Sequence, residues 1–233
     1  MSVYAVSDMH GCIDAYWKIK NYINPEDTVY CLGDCGDRGP ESWNTIKMVL
    51  TDPQFIYIKG NHDDMLVKAA REAMGSDYNM GRYEAQRLLA ENGGFDTLTD
   101  LLGEEKTEVW VSTIAKLPTY ITYENTSGVR VFLCHAGCSI WKNEEFIPNN
   151  QNLIWDRLHY FDNSNLLGND IVVHGHTPAP ILAEEIQVEY NPKEALCYAD
   201  GKKYCIDSGT VWTDNIILLN LDTFESIYFN LKD

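Results

Sequence analysis

One local pattern recurs five times along the chain: a short, β-rich apolar run stops at a small or polar turn that carries a side chain able to ligate a metal. "VYAVS" leads to Asp8 and His10, "TVYCLG" to Asp34, "FIYIKG" to Asn61 and His62, "VFLC" to His135, and "IVVHG" to His176. Runs of this length and composition read as strands. The first two turns are followed by amphipathic helical patterns. In the second, Trp43, Ile46, Val49 and Leu50 share a face and Pro40 suits the first helical position. When strands alternate with helices the sheet is largely parallel, and the loops at the carboxyl ends of its strands open into one crevice. Five ligand-bearing strand ends therefore predict one site.

Between Asp63 and Tyr120 the rhythm changes. Phe95, Leu98, Leu101 and Leu102 fall three and four apart, with Gly93-Gly94 and Leu117-Pro118 as breaks, which predicts a helical insertion over roughly residues 64–119. From Tyr120 onward, alternating segments ("TYITYE", "VRVFLC", "KKYCID", "NIILLNL", "SIYFN") separated by turn residues predict a second sheet of antiparallel character. The expected fold is α/β (α+β), with two packed mixed sheets flanked by helices. At 233 residues and 45% hydrophobic content the chain can bury a substantial core, and a single domain over 1–233 is expected.

The formal net charge is −17, with acidic residues spread along the whole chain. Such a surface repels nucleic acid and anionic membranes, so neither is expected as a partner. No secretory signal opens the sequence, and its apolar runs are far shorter than the ~20 residues of a membrane span; a soluble, cytoplasmic protein is expected. The seven cysteines are scattered and odd in number, which favours reduced thiols over a disulfide framework. Cys134 and Cys138 bracket His135, Cys35 lies in the second turn and Cys12 follows the first. Their spacing matches no paired zinc motif, so packing is expected in preference to a thiol-based metal or redox role.

Asp8 and His10 are two residues apart, so in extended backbone their side chains fall on the same side. Taken singly, each motif has an ordinary structural explanation: aspartates cap helices, asparagines make turns and histidines sit hydrogen-bonded at core edges. Five of the six histidines nevertheless fall in these strand-end turns, at 10, 62, 135, 174 and 176.

Together, Ser7-Asp8-Met9-His10-Gly11, Gly33-Asp34-Cys35-Gly36-Asp37-Arg38-Gly39, Gly60-Asn61-His62-Asp63, His135-Ala136-Gly137 and Gly175-His176-Thr177-Pro178 resemble the ordered signature of PPP-type metallophosphatases, in the calcineurin-like phosphoesterase superfamily. The chain looks closest to the bacterial and phage branch, which includes serine/threonine protein phosphatases and symmetrical diadenosine tetraphosphate hydrolases. It departs from the pattern at Ser7, where glycine is usual, at Gly36, where a branched apolar residue is usual, and at Asp63, where glutamate is frequent. In place of the G-H-x-H of many phosphodiesterases it has Pro178.

The resemblance implies two divalent ions. Asp8, His10 and Asp34 would hold one, and Asp34, Asn61, His135 and His176 the other, with Asp34 bridging. All six side chains offer oxygen or nitrogen, which favours manganese first, with iron or zinc as alternatives. Arg38 and Arg157 would bind substrate phosphate beside Asn61. His62, oriented by Asp37, would give a proton to the leaving oxygen while a metal-bridging hydroxide attacks phosphorus. The expected activity is a serine/threonine phosphatase-like phosphomonoesterase acting on a phosphoprotein, phosphopeptide or small phosphoester. A dinucleoside polyphosphate hydrolase is the alternative, and a catalytically inactive binding module is a third reading.

Overall fold

The computed structural model describes residues 1–75, 83–138, 141–142, 145–146, 150–161 and 170–233. The first sheet begins with β1 (Val3–Val6), β2 (Thr28–Cys31) and β3 (Phe55–Tyr57), which are parallel neighbours. Helices α1 (Ile13–Tyr22) and α2 (Ser42–Thr51) make the crossovers between them, and α3 (Asn61–Ala73) follows β3. Trp43, Ile46 and Val49 are buried on one face of α2, as their spacing predicts. The helix itself starts at Ser42, leaving Pro40 in the preceding turn.

The segment expected to be helical contains the rest of α3 together with α4 (Glu84–Glu91), α5 (Phe95–Leu102) and α6 (Thr107–Ala115). In α5, Leu98 and Leu101 are buried, whereas Phe95 and Leu102 face outward.

The second sheet has β4 (Tyr120–Glu124) and β5 (Arg130–Cys134) as an antiparallel pair. A two-stranded ribbon, β6 (Trp141–Lys142) with β7 (Glu145–Phe146), and helix α7 (Asn150–Trp155) follow. β8 (Ile171–His174) then pairs parallel with β5, and helix α8 (Ala179–Ile186) leads to β9 (Leu196–Tyr198) and β10 (Lys203–Cys205). β10 lies parallel to β8 and antiparallel to β9. The chain then leaves this sheet. After the short helix α9 (Thr210–Thr213), β11 (Asn215–Asn220) pairs antiparallel with β1, and β12 (Ser226–Asn230) pairs with β11. "NIILLNL" and "SIYFN", expected in the second sheet, therefore complete the first. Both sheets are mixed, in the orders β12-β11-β1-β2-β3 and β4-β5-β8-β10-β9.

The two sheets pack face to face, as the side-chain alternation of β1 makes visible. Tyr4 and Val6 join the core beneath the helices, while Val3 and Ala5 join Leu32, Val131, Leu133, Val173, Ile206 and Leu219 between the sheets. A strand covered on both faces needs a continuous apolar run, and β1 is buried at all four positions. On the outer face of the second sheet, α8 packs through Leu182 and Ala183 onto Leu196, Tyr198 and Cys205. No helix among the described residues is long and apolar enough to cross a membrane.

Candidate metal centre

Parallel pairing puts the carboxyl ends of β1, β2 and β3 on one edge of the first sheet, and those of β5 and β8 on one edge of the second. Hydrogen bonds join the two edges. His135 Nδ1–H donates to the Leu32 carbonyl at 2.7 Å, and the His176 backbone N–H donates to Asp8 Oδ2 at 3.0 Å. All five ligand-bearing turns thus meet at one place.

The backbone at this meeting point is strained. Asp8, His10, Asp34, Asp37, Arg38 and His176 all have φ between +42° and +70°, and they make up half of the twelve non-glycine residues with positive φ among the described residues. L-residues avoid this region, and those held there cluster at functional sites. The turns also leave no room for side chains where glycines stand. A Cβ on Gly60 would collide with the Asp34 carboxylate.

Asp34 is the centre of the arrangement. Its Oδ1 accepts the His62 backbone N–H at 3.0 Å, from the first turn of α3, and its Oδ2 lies 3.3 Å from His135 Nε2. The backbone on either side of the Asp34 carbonyl is pinned as well. Asp34 N–H donates to Asp63 Oδ2 at 3.2 Å, and Cys35 N–H donates to the Tyr57 hydroxyl at 3.0 Å, which itself donates to Asp63 Oδ1 at 2.7 Å. Asp63 also accepts the Gly60 N–H at 2.8 Å, so one buried carboxylate closes the amino end of α3 and fixes Asp34.

On one side of Asp34, Asn61 Oδ1 accepts hydrogen bonds from His135 Nε2 at 2.8 Å and His176 Nδ1 at 2.9 Å. On the other, His10 Nδ1–H donates to the Gly36 carbonyl at 2.9 Å, and its Nε2 lies 3.8 Å from Asp8 Oδ1. Arg38 donates from Nη1 to His10 Nε2 at 2.8 Å and from Nη2 to His62 Nε2 at 2.9 Å. His62 Nδ1–H donates to Asp37 Oδ2 at 2.7 Å. Two trios of donor atoms emerge, His10 with Asp34 and His62, and Asp34 with His135 and His176; within each, the atoms lie within 4.8 Å of one another. Asp34 belongs to both.

The residues present fit divalent cations. Asp8 Oδ1 and His176 Nε2 are buried without a hydrogen-bond partner, a costly condition that coordination to a cation removes. The electrostatics agree. Burial alone would push the His135 imidazole down, but the charges of Asp34 and Asp8 outweigh it and raise its pKa to about 10, so positive charge is stabilised at that point. Burial pulls His10 down to about 3 and also lowers His176, keeping both rings neutral as ligation requires. Burial opposes ionisation of Asp34, yet the charges of His135 and His62 hold its carboxyl well below the usual range. Every one of these donors is oxygen or nitrogen.

The structure thus brings Asp8, His10, Asp34, Asp37, Arg38, Asn61, His62, His135 and His176 together. His62, expected as a proton donor, falls within a donor trio, whereas Asp8, expected as a ligand, lies in neither. Arg157 is exposed, although its charge reaches His176 and Tyr160. His174 turns to Tyr198, whose hydroxyl lies 2.7 Å from its Nε2, and stacks on Tyr160, consistent with a residue at the core edge. All seven cysteines are free. Cys12 is half-buried and Cys197 exposed; burial pushes the thiols of Cys12, Cys35, Cys134, Cys138 and Cys205 up.

Four residues near the site have contacts that the sequence did not assign, Ser7 being legible there only as a departure from the family pattern. Ser7 Oγ donates to Asp8 Oδ2, and Tyr57 holds Asp63. Asp207 is a buried carboxylate, pushed well up by burial and by the charge of Asp8, that accepts the Gly209 N–H at 2.8 Å. "YCID" ending in Ser208-Gly209 repeats the strand-then-turn pattern, so Asp207 had a signal. Trp212 had none, since its place under Arg38 arises only from the return of the chain to the first sheet.

A two-sheet α/β sandwich with two donor trios sharing one carboxylate suits a pair of metal ions. The family comparison is consistent with that reading: the chain belongs to the calcineurin-like phosphoesterase family, whose model matches residues 1–208. It is 25% identical to the symmetrical bis(5'-nucleosyl)-tetraphosphatase of Delftia acidovorans over 150 residues, which is 62% of this chain and 48% of that one. With the same-named protein of Pseudomonas syringae pv. syringae it shares 34% over 76 residues, 31% of this chain and 26% of that one. The matched stretches therefore span half or less of these relatives. Among solved structures, a metallophosphoesterase from Sphaerobacter thermophilus aligns over 98% of this chain and 86% of its own, with a TM-score of 0.57 and 13% identity. A serine/threonine phosphatase from Saccharomyces cerevisiae aligns over 98% and 79%, also with a TM-score of 0.57 and 13% identity. At such identities the likeness concerns the fold.

Proposed function

We propose that this chain is a metal-dependent phosphohydrolase acting on dinucleoside polyphosphates. The observation that carries the hydrolase reading is the sharing of Asp34 between two trios of nitrogen and oxygen donors. In this reading Asp8, His10 and Asp34 hold one divalent ion, and Asp34, Asn61, His135 and His176 hold the other, with manganese preferred over iron or zinc. When bound, such ions acidify water and neutralise charge on the transferring phosphoryl group.

The remaining steps belong to the chain's own residues. The Arg38 guanidinium is already presented as a fork, its two Nη atoms spanning His10 and His62, and that fork suits two phosphate oxygens. Arg157 and Asn61 complete the phosphate site. Asp37 accepts Nδ1–H of His62, and Nε2, which accepts from Arg38 in this structure, is the atom that carries the transferable proton once Arg38 turns to phosphate. An oxygen from water bonds to phosphorus as a bridging P–O bond breaks; the bridging oxygen leaves with the second nucleotide and takes the His62 proton, and the proton that the water gives up passes to solvent, from which His62 is reprotonated. Cleaved at the middle, a dinucleoside tetraphosphate and water give two nucleoside diphosphates.

The substrate class rests on the tetraphosphatase relatives. A phosphomonoesterase acting on phosphoserine or phosphothreonine, the first expectation from sequence, uses the same core but is supported only by likeness of fold. The test is a parallel assay of diadenosine tetraphosphate, a phosphoserine peptide and nitrophenyl phosphate, after chelation and with manganese, iron or zinc restored. The expected result is metal-dependent turnover with the highest kcat/KM on the dinucleotide, abolished in Asp34→Asn together with a loss of bound metal. Full activity after exhaustive chelation overturns the hydrolase mechanism, and preference for the phosphopeptide overturns the substrate class.

A further inference from the structure

Two tryptophans stand at the rim of the donor cluster, one beside each trio, and neither has a role in the hydrolysis just described. Trp212, on α9, is 63% exposed, and the Arg38 guanidinium carbon lies 5.7 Å from its ring centroid. Arg38 in turn is hydrogen-bonded to His10 and His62, the two imidazoles of the first trio. Trp155, the last residue of α7, is 40% exposed, and its ring meets the His176 ring nearly at right angles, 81°, with centroids 6.1 Å apart. His176 belongs to the second trio. Each indole is thus steadied on one side by a residue of the cluster while much of its surface remains in water.

We propose that Trp212 and Trp155 are stacking platforms for the two nucleobases of a dinucleoside polyphosphate, one at each end of the phosphate-binding centre. The inference rests on the hydrolase reading above and names the feature that selects its substrate class. Three properties of the site support it. Large, partly exposed aromatic side chains next to a cationic phosphate clamp match a ligand whose anionic chain carries flat aromatic ends. Two platforms beside two trios match a ligand with two such ends. Arg38 touches both Trp212 and the catalytic imidazoles, so a base stacked on Trp212 lies next to the group proposed to grip the adjoining phosphate. A phosphoserine side chain offers no aromatic group to either indole.

Stacking of a base on an aromatic side chain contributes about 1–3 kcal/mol, or about 5- to 150-fold in affinity. The comparison that isolates it is diadenosine tetraphosphate against inorganic tetraphosphate, which shares the phosphate chain and lacks the bases. In Trp212→Ala and Trp155→Ala, kcat/KM for the dinucleotide should fall about 5- to 150-fold relative to that for inorganic tetraphosphate, chiefly through KM, and Trp→Phe at either position should restore most of the loss. A second readout needs no turnover: a methylene-bridged diadenosine tetraphosphate should quench tryptophan fluorescence, with a component missing in Trp212→Phe and another in Trp155→Phe.

Equal losses on both polyphosphates would overturn the proposal, since the indoles would then act only by propping Arg38 and His176. A loss confined to a phosphopeptide would overturn it too and assign the rim to peptide contacts. Failure of the wild-type protein to hydrolyse any phosphoester, with the quenching intact, would remove the hydrolase reading while sustaining the base-binding one.

Discussion

His62 is held by opposed forces, and its chemistry follows from their balance. Burial disfavours its charged form, but the charge of Asp34 and the hydrogen bond to Asp37 outweigh burial, and its pKa rises above the usual value. A protonated ring is what a general acid needs. Expelling an alkoxide demands that proton, whereas nitrophenolate leaves with little help. His62→Asn should therefore lower kcat on a phosphoserine peptide by ~10²–10⁴-fold and cost nitrophenyl phosphate much less. Asp37→Asn should show the same bias more mildly, because it removes the acceptor that orients the ring. Steady-state kinetics on both substrates, with metal content measured in parallel, checks the pair; equal losses with the metal retained would take His62 out of the proton-donor role. At this scale the sequence was legible wherever a residue type announces its chemistry. Asp8, His10, Asp34, Asn61, His62, His135 and His176 could all be picked out from strand-end turns and a resemblance. The supporting residues could not. Ser7 and Tyr57 are ordinary in composition and matter only through the oxygen atoms they aim at Asp8 and Asp63.

Elements position the site through loops that extend the β1–β2 ladder beyond the strands. Asp8 N–H donates to the Gly33 carbonyl at 3.2 Å, His10 N–H to Asp34 at 3.0 Å and Gly11 N–H to Cys35 at 2.7 Å, so the two ligand turns are zipped together. Gly39 sits where the turns are tightest, and a Cβ there would run into the His10 carbonyl and the Gly11 backbone. Gly39→Ala should force the turns apart, with an overpacking cost of about 1–3 kcal/mol and weaker metal uptake through the displaced His10. Gly128→Ala is the control for backbone strain: its φ is +75° and nothing lies within 4 Å of the added carbon, so it should lower stability by about 1–2 kcal/mol and leave metal uptake intact. Denaturant melts and metal titrations of the two variants make the comparison; equal metal affinities would show that the turns are not coupled in this way. Elements were legible where periodicity decides them, as in α2 and α5. Sheet membership was not. β11 is buried at four successive apolar positions, as a strand covered on both faces would be in either sheet, and what draws it and β12 to the first is the open edge of β1, a long-range pairing with no local signature. Trp212 reaches Arg38 only because of that return.

Across the whole molecule, the charge sets a conflict between approach and binding. The formal net charge of −17 surrounds a centre where Arg38 and Arg157 are proposed to meet anions, and where bound divalent ions would add positive charge. A dinucleoside tetraphosphate carries several negative charges, so the outer field repels it before the clamp can act. Repulsion between charges farther apart than the Debye length, about 30 Å at 0.01 M and about 10 Å at 0.1 M salt, is largely screened, while contacts inside the clamp are short and partly buried. Modest salt should therefore weaken the barrier to approach more than it weakens the grip. The expected outcome is that kcat/KM for the dinucleotide rises as an inert monovalent salt goes from 0.01 to 0.1 M, while kcat changes little. A substrate of lower charge, such as nitrophenyl phosphate, should respond less, because the work of bringing a ligand through the field scales with its charge. Initial rates across that salt series, at fixed free divalent ion, separate the two. A fall in kcat/KM for the dinucleotide would mean that the local field of the cationic centre already governs the encounter at low salt, and that the acidic surface lies too far from the entrance to oppose it.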